Sequence, residues 1–493
     1  MNVKLAVLVV YVALLLGISW WSTRLQKQGT SNKTLQYLLA GRNMPTIIVA
    51  VLLCGLAVGG ASTVGVAENA YRNGFSAGWY NAAWGTGGIV VGLFFASYLR
   101  KMNVRTIPEM MGSMFGPASR TLSVINQLLV MMTITSLQYV AGGAILSTLL
   151  PDIFSLNGGM VASAVIFIAI TFIGGYWASG LSNLISVITI YVGIIVALFQ
   201  TLKLFGGYGA IMAALPPKAD GNGWMDLVSG LGLAVVVGYV VVMVTMAVTT
   251  QAVAQISFAA KDEKTARKGM LIGGVLILPA GFLCAMFGIV AAAMQPDLEH
   301  ARMALPWVAN RLSPLVGGIF LAALWAADIS TAVALLMGCS TLVNEDIVKK
   351  IYRKKISEAK EMVLLRVLVL GVSVLSFILA LTARDILTTI TSALAITTSF
   401  TLFLAAAVYF PKLCKRAAGF PILLMSLLVW AVWTYLPRVQ SASPLVLSLQ
   451  GMLNGVISGT KHIIYAEWLV CGVIFIVCAV FCKEPAGRII PDE

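Results

Sequence analysis

Apolar residues along this chain neither alternate nor keep to one helical face; they come in long unbroken runs. Thirteen runs are legible, at about 3–23, 44–71, 77–99, 119–150, 158–177, 181–202, 228–258, 269–294, 313–343, 364–383, 386–410, 419–437 and 465–482. Most are close to the ~20 residues with which an α-helix crosses the hydrocarbon of a bilayer. In lipid, every backbone polar group must be satisfied internally, so runs of this length predict helices. No linker or low-complexity stretch divides them, which predicts one all-α membrane domain over 1–493. The first run lacks a small-residue cleavage pattern and reads as a retained helix.

Two runs look interrupted. The second contains GLAVGGASTVG, with Gly55, Gly59, Gly60 and Gly65 beside Ser62 and Thr63. Glycine lets a helix open, and lipid forbids an open backbone unless a cavity or an ion takes up the freed carbonyls. Close packing through small residues is the alternative reading. The seventh run carries Gly230, Gly232 and Gly238, then Thr245, Thr249, Thr250, Gln251 and Gln255 towards its other end. Broken helices five apart are the spacing expected of two five-helix units repeated with inverted topology.

Composition agrees with the pattern. Of the 493 residues 59% are hydrophobic and only 11% charged, and mean hydropathy is +0.93, so a water-facing surface cannot be covered. The net charge of +14 raises the question of nucleic acid, and the placement of the basic residues answers it. Of 33 Lys and Arg, 24 fall in one alternate set of connections and nine in the other; seven, from Lys349 to Arg366, share one connection. Basic residues accumulate on the cytoplasmic side, which puts the N-terminus outside and the C-terminus inside, in the plasma membrane. The charge is topological, and no nucleic acid is needed to explain it. The seven cysteines mostly lie inside apolar runs, and His300 and His462 are isolated; neither suggests a metal site.

Candidate chemistry concentrates in the ninth run, LAALWAADISTAVALLMGCSTLVNEDI. An ionised Asp328 at bilayer depth costs about 2.5–3.5 kcal/mol, so it should face the interior and have a partner. Thr331 shares its helix face and Ser330 lies beside them, so their oxygens are placed to converge on a hard cation. A protonated Asp328 hydrogen-bonded in the core is the alternative. Glu68 has Arg72 one turn on, and a structural pair near the outer surface is favoured. No nucleophile–base arrangement or phosphate loop points to an enzyme.

Four segments then carry a family resemblance. YLLAGRNMP before the second run, VRTIPEMMGSMFGPASR (Val104 to Arg120), QAVAQISFAAKDEKTARKG (Gln251 to Gly269) and STLVNEDIVKK (Ser340 to Lys350) resemble, in order and spacing, stretches of the sodium:solute symporter family. That family holds the proline, pantothenate and sodium/glucose symporters. The resemblance implies the fold of the leucine transporter, with inverted repeats over 44–202 and 228–410, an extra N-terminal helix at 3–23 and two C-terminal helices in 419–482. It also implies a sodium ion between the second and ninth helices, held by the carbonyls of Gly55, Val58 and Ala327 and the hydroxyls of Ser330 and Thr331.

Departures from the family narrow the expectation. Asn183, after Ser182, stands where an acid is common, and Asp328 is an unusual acid that would replace its charge. Val333 and Ala334 stand where a second sodium site needs hydroxyls, so one sodium is expected. Asn81 occupies a position where a sugar-transporting relative has Glu, and Met243 and Met246 fall at sugar-contact positions, which disfavours a sugar. Ser62, Asn81 and Trp84 are the main candidates for solute contact, and Thr397, Thr398 and Ser399 weaker ones. The expected function is sodium-coupled symport of a small organic solute such as an amino acid or carboxylate. The rivals are a proton-coupled or uncoupled carrier and a transporter-like sensor; a sensor should carry an output domain, and the short tail after Cys482 offers none. Neither the solute nor the oligomeric state follows from the sequence.

Overall fold

In a computed structural model, residues 3–27, 33–218, 223–349, 357–381, 386–440 and 443–487 are described. Lys350, Arg353, Lys354, Lys355, Arg384 and Arg488, which enter the charge count above, lie outside them. The described residues are helical, with no strand beyond two isolated bridges. Among them nine helices are long and apolar enough to cross a membrane, or twelve when each of three bent pairs is one span; Leu156–Ala169 is a shorter apolar stretch.

Along the chain, α1 (Val3–Lys27) precedes a bent pair, α2 (Thr46–Ala57) and α3 (Gly60–Asn73), which meet at 43°. Next come α4 (Trp79–Val90), prolonged to Lys101 through a π-helical stretch, then the short α5 (Ile107–Phe115) and α6 (Pro117–Leu149). A run of 49 residues follows, α7 (Leu156–Leu204). The second bent pair is α8 (Leu233–Thr249) and α9 (Gln251–Ala259), at 48°. Then come α10 (Glu263–Ile277), α11 (Ala280–Met294), α12 (Pro314–Leu342) and α13 (Glu358–Ala380). The third bent pair is α14 (Ile386–Ala395) and α15 (Thr398–Tyr409), at 43°. The chain closes on α16 (Gly419–Tyr435), α17 (Pro444–Thr460) and α18 (Ile463–Phe481).

Most of the predicted runs coincide with these helices, and the exceptions are informative. Runs five and six fall in the single stretch α7. A straight helix would separate Ser163 from Gly193 by about 45 Å. Yet Ser163 bonds Trp325 while Phe320, five residues away on α12, packs at Gly193, so the stretch folds back between them. In the seventh run the chain bends at Thr250, where Thr249 and Gln251 meet, and not at the glycines: Gly238 packs against His462 inside α8. The bend between α14 and α15 has no counterpart in the sequence reading, and neither has α17.

Burial grades the helices. Apolar side chains of α7 and α18 such as Phe199 and Phe481 face outward, as lipid contact requires. By contrast α12 is buried along nearly its whole length, with α1, α6 and α7 packed around it. A helix apolar all round belongs at the centre of a bundle, and α12 is the helix that carries Asp328.

Candidate functional site

The site grows out of the break between α2 and α3. Val58 (φ −106°, ψ 56°) and Gly59 (φ −92°, ψ 178°) leave helical geometry, so carbonyls at the end of α2 lose their amide partners. Side chains take them instead. The Thr331 hydroxyl donates to the Gly55 carbonyl at 2.7 Å and is also 3.0 Å from the Ala327 carbonyl. The Ala57 carbonyl accepts from Ser62 Oγ at 2.7 Å and from Asn81 Nδ2 at 3.1 Å. Ser330 Oγ donates to the Ala327 carbonyl at 2.9 Å. Gly55, Ala327, Ser330 and Thr331 therefore present their oxygens to one region, with Val58, fully buried, closing α2 above it. Asn183, from α7, abuts Gly55, and Ser179 and Ser182 line a small gap with Ser330.

Asp328 stands on the other side of the break. Its Oδ1 accepts from the Ala61 amide at 3.2 Å, at the start of α3, and its side chain fills the space that a Cβ on Gly60 would occupy. Gln138 of α6 approaches the same amide at 3.4 Å. The two half-helix ends thus meet different partners. The C-terminal, partly negative end of α2 faces the oxygen cluster, whereas the N-terminal, partly positive end of α3 faces the Asp328 carboxyl group.

A cavity opens beside the break. Ser62 and Trp84 line it together with Tyr80, Gln138, Met246 and Thr250, and Thr331 contributes to its wall. Asn81 is buried behind this wall on the Ala57 carbonyl. Thr397, Thr398 and Ser399 do not line the cavity; they form the bend of α14 and α15, from which Ile390 and Leu394 reach the wall. That bend meets the break between α8 and α9 through Thr401, whose hydroxyl donates to the Thr245 carbonyl at 2.7 Å. Glu68 is buried and shares a separate cleft with Asn69, Arg72 and Asn73. Nothing local in the sequence marks Tyr80 or Gln138, and Thr250 stands out there only as one of the polar residues of the seventh run.

The motif segments form a polar lock at the far end of α12. Thr106 caps α5 by accepting from the Glu109 amide, and its hydroxyl donates to Asp346 at 2.7 Å. Arg120 pairs with Asp346 at 2.6 Å and Arg105 with Glu345 at 3.2 Å. Gln251 ties α9 in by accepting from the Ile107 amide and donating to the Arg105 carbonyl. Asp262 caps α10 by accepting from the Thr265 amide, which holds its carboxyl below the usual range.

Comparison with known proteins matches the model of the sodium:solute symporter family to residues 37–424. A sodium/glucose cotransporter of Vibrio parahaemolyticus is 25% identical over 380 residues, 71% of this chain and 69% of that protein. The sodium/pantothenate symporter of Escherichia coli (strain K12) is 26% identical, over 69% of this chain and 71% of its own. Among solved structures, a substrate-bound, outward-open Na+-coupled sialic acid symporter superposes over 99% of both chains with a TM-score of 0.75 at 15% identity. A closed nucleobase-cation-symport-1 family transporter gives 0.60 at 12% identity over 90% of this chain and 93% of that one. At these identities the structures speak for the fold alone.

Proposed function

The chain belongs to the sodium:solute symporter family and works by sodium-coupled symport of a small solute, and from that premise we propose where the ion and the solute are held. It is a multi-pass membrane transporter and not an enzyme. One sodium ion sits between the carbonyls of Gly55, Val58 and Ala327 and the hydroxyls of Ser330 and Thr331. The carrying observation is the Thr331 hydroxyl poised between the Gly55 and Ala327 carbonyls. A hard cation of modest radius takes such oxygen ligands, and the negative end of α2 favours it further. Asp328 supplies countercharge from the opposite side of the break.

The solute occupies the cavity lined by Ser62, Trp84, Tyr80, Gln138, Met246 and Thr250. Asn81 supports that wall, and Thr397, Thr398 and Ser399 act through the bend of α14 and α15 without touching the solute. Thirteen spans and two inverted five-helix repeats account for the bent pairs α2/α3 and α8/α9, together with the fold-back in α7. Sodium then stabilises the solute-binding state within an alternating-access cycle in the plasma membrane. One charge moved down 100 mV contributes ~2.3 kcal/mol, enough for about fiftyfold accumulation of a neutral solute.

Two measurements test this reading. Purified protein should show a saturable rise in melting temperature with sodium that potassium at equal ionic strength does not reproduce; an identical response to both ions would contradict the ion site. The N-terminus is proposed outside and the connection before α13 cytoplasmic. A Ser357→Cys variant, at an exposed position, should therefore gain no labelling over the parent when whole cells meet an impermeant thiol reagent. Ready labelling from outside would reverse the orientation.

A further inference from the structure

We infer that the transported solute is uncharged and carries no carboxylate, because Asp328 already occupies the anion position of the broken helix. This rests on the cavity beside the break being the solute site. In transporters built on broken helices, the N-terminal end of a half-helix points its free amides at an anionic group of the substrate. Here that end belongs to α3, and the Ala61 amide is taken by Asp328 at 3.2 Å. Asp328 has no exposed surface, and its second oxygen packs against Gly142 without a hydrogen bond. The carboxylate is therefore built in and not borrowed from solution.

The cavity wall supports the same conclusion independently. None of its sixteen lining residues is Asp, Glu, Lys, Arg or His, so nothing there pairs with a solute carboxylate. What the wall offers is neutral: the Ser62 and Thr250 hydroxyls, the Gln138 amide and the faces of Tyr80 and Trp84. The Thr250 hydroxyl is buried and without a hydrogen bond in the structure, which leaves it to serve a ligand. Charge balance points the same way. With one sodium ion offset by Asp328, as proposed above, an uncharged solute keeps the buried centre neutral. A solute carboxylate would add a second anion beside Asp328 with no cationic side chain to meet it, a costly arrangement away from water.

The test uses the full-length protein and two carboxylate probes, nicotinate and orotate, alongside formate. Neither nicotinate nor orotate should raise the melting temperature of the sodium-loaded parent. An Asp328→Ala variant vacates the end of α3, and formate should stabilise it saturably, with or without sodium, while leaving the parent unchanged. Should Asp328→Ala fail to fold, Asp328→Ser provides a similar vacancy. Stabilisation of the parent by either carboxylate, or a variant indifferent to formate, would overturn the inference. Because the formate response is read without sodium, its failure is distinguishable from a failure of the sodium site, which would show as a parent that ignores sodium.

Discussion

Thr331→Ala is expected to raise the half-saturating sodium concentration by about tenfold or more, while the protein stays folded. A hydrogen-bonding partner of a charged group is worth about 1.5–3 kcal/mol, and each 1.4 kcal/mol is tenfold in affinity. Thr331 has the stronger claim of the two hydroxyls because it alone bridges two helices, reaching Gly55 on α2 and Ala327 on its own helix. Ser330→Ala should weaken sodium too, by less, since its hydroxyl reaches only the Ala327 carbonyl. Thr331→Ser keeps the oxygen and should keep most of the affinity. The readout is the sodium titration of thermal stability in each purified variant. Parental titrations for both alanine variants would remove the assignment.

Arg120→Ala should be the most destabilising single change in the polar lock. Asp346 has a fully buried side chain, and Arg120 and Thr106 are its partners. Removing one partner of a buried ion pair leaves an uncompensated charge and costs about 3–5 kcal/mol. Arg120 is partly exposed, so water recovers some of this and the lower end applies. A clear drop in melting temperature is expected, and Asp346→Asn combined with Arg120→Ala should recover part of it by removing the stranded charge. If Arg120→Ala melts with the parent, the lock contributes nothing to stability.

The lock also shows what a sequence discloses and what it withholds. The spans were legible because lipid leaves the backbone few options, so length and hydropathy nearly suffice. The break in the second span was legible from its glycines, and Ser330 and Thr331 from oxygen chemistry beside Asp328. Arg120 and Asp346 lie 226 residues apart, and only the fold brings them together. Tyr80, Gln138 and Thr250 meet at the cavity for the same reason. The bend of α14 and α15 carries no glycine or proline; its hydroxyls make it, with Thr397 donating to Leu394 and Ser399 to Ile396. Such back-bonding bends a helix without leaving a sequence signature that differs from ordinary polar residues. The helix α17 escaped because Ser, Gln, Gly and Asn break up its apolar residues, and those, Leu445 and Met452 among them, are exposed and not part of a core.

Asp328 is the residue whose meaning changed most between sequence and structure. The sequence places an acid beside the hydroxyls of Ser330 and Thr331 and suggests a direct cation ligand. In the structure its carboxyl group turns to the opposite half-helix, where Oδ1 accepts from the Ala61 amide, and the effect on sodium proposed above is through charge across the break. The two half-helix ends and their partners, oxygen cluster and carboxylate, form one electrostatic unit.

Sodium flow through this chain drives a solute across the membrane, and uptake into proteoliposomes measures that coupling itself. The purified protein would be reconstituted and offered a panel of radiolabelled uncharged solutes, with amino acids alongside as carboxylate-bearing comparisons, with an inward sodium gradient or with potassium in its place. Concentrative uptake of at least one uncharged solute is expected, requiring the sodium gradient, rising with an inside-negative potential and lost in Thr331→Ala. Uptake that proceeds equally in potassium, or that Thr331→Ala leaves at the parental sodium dependence, would contradict it.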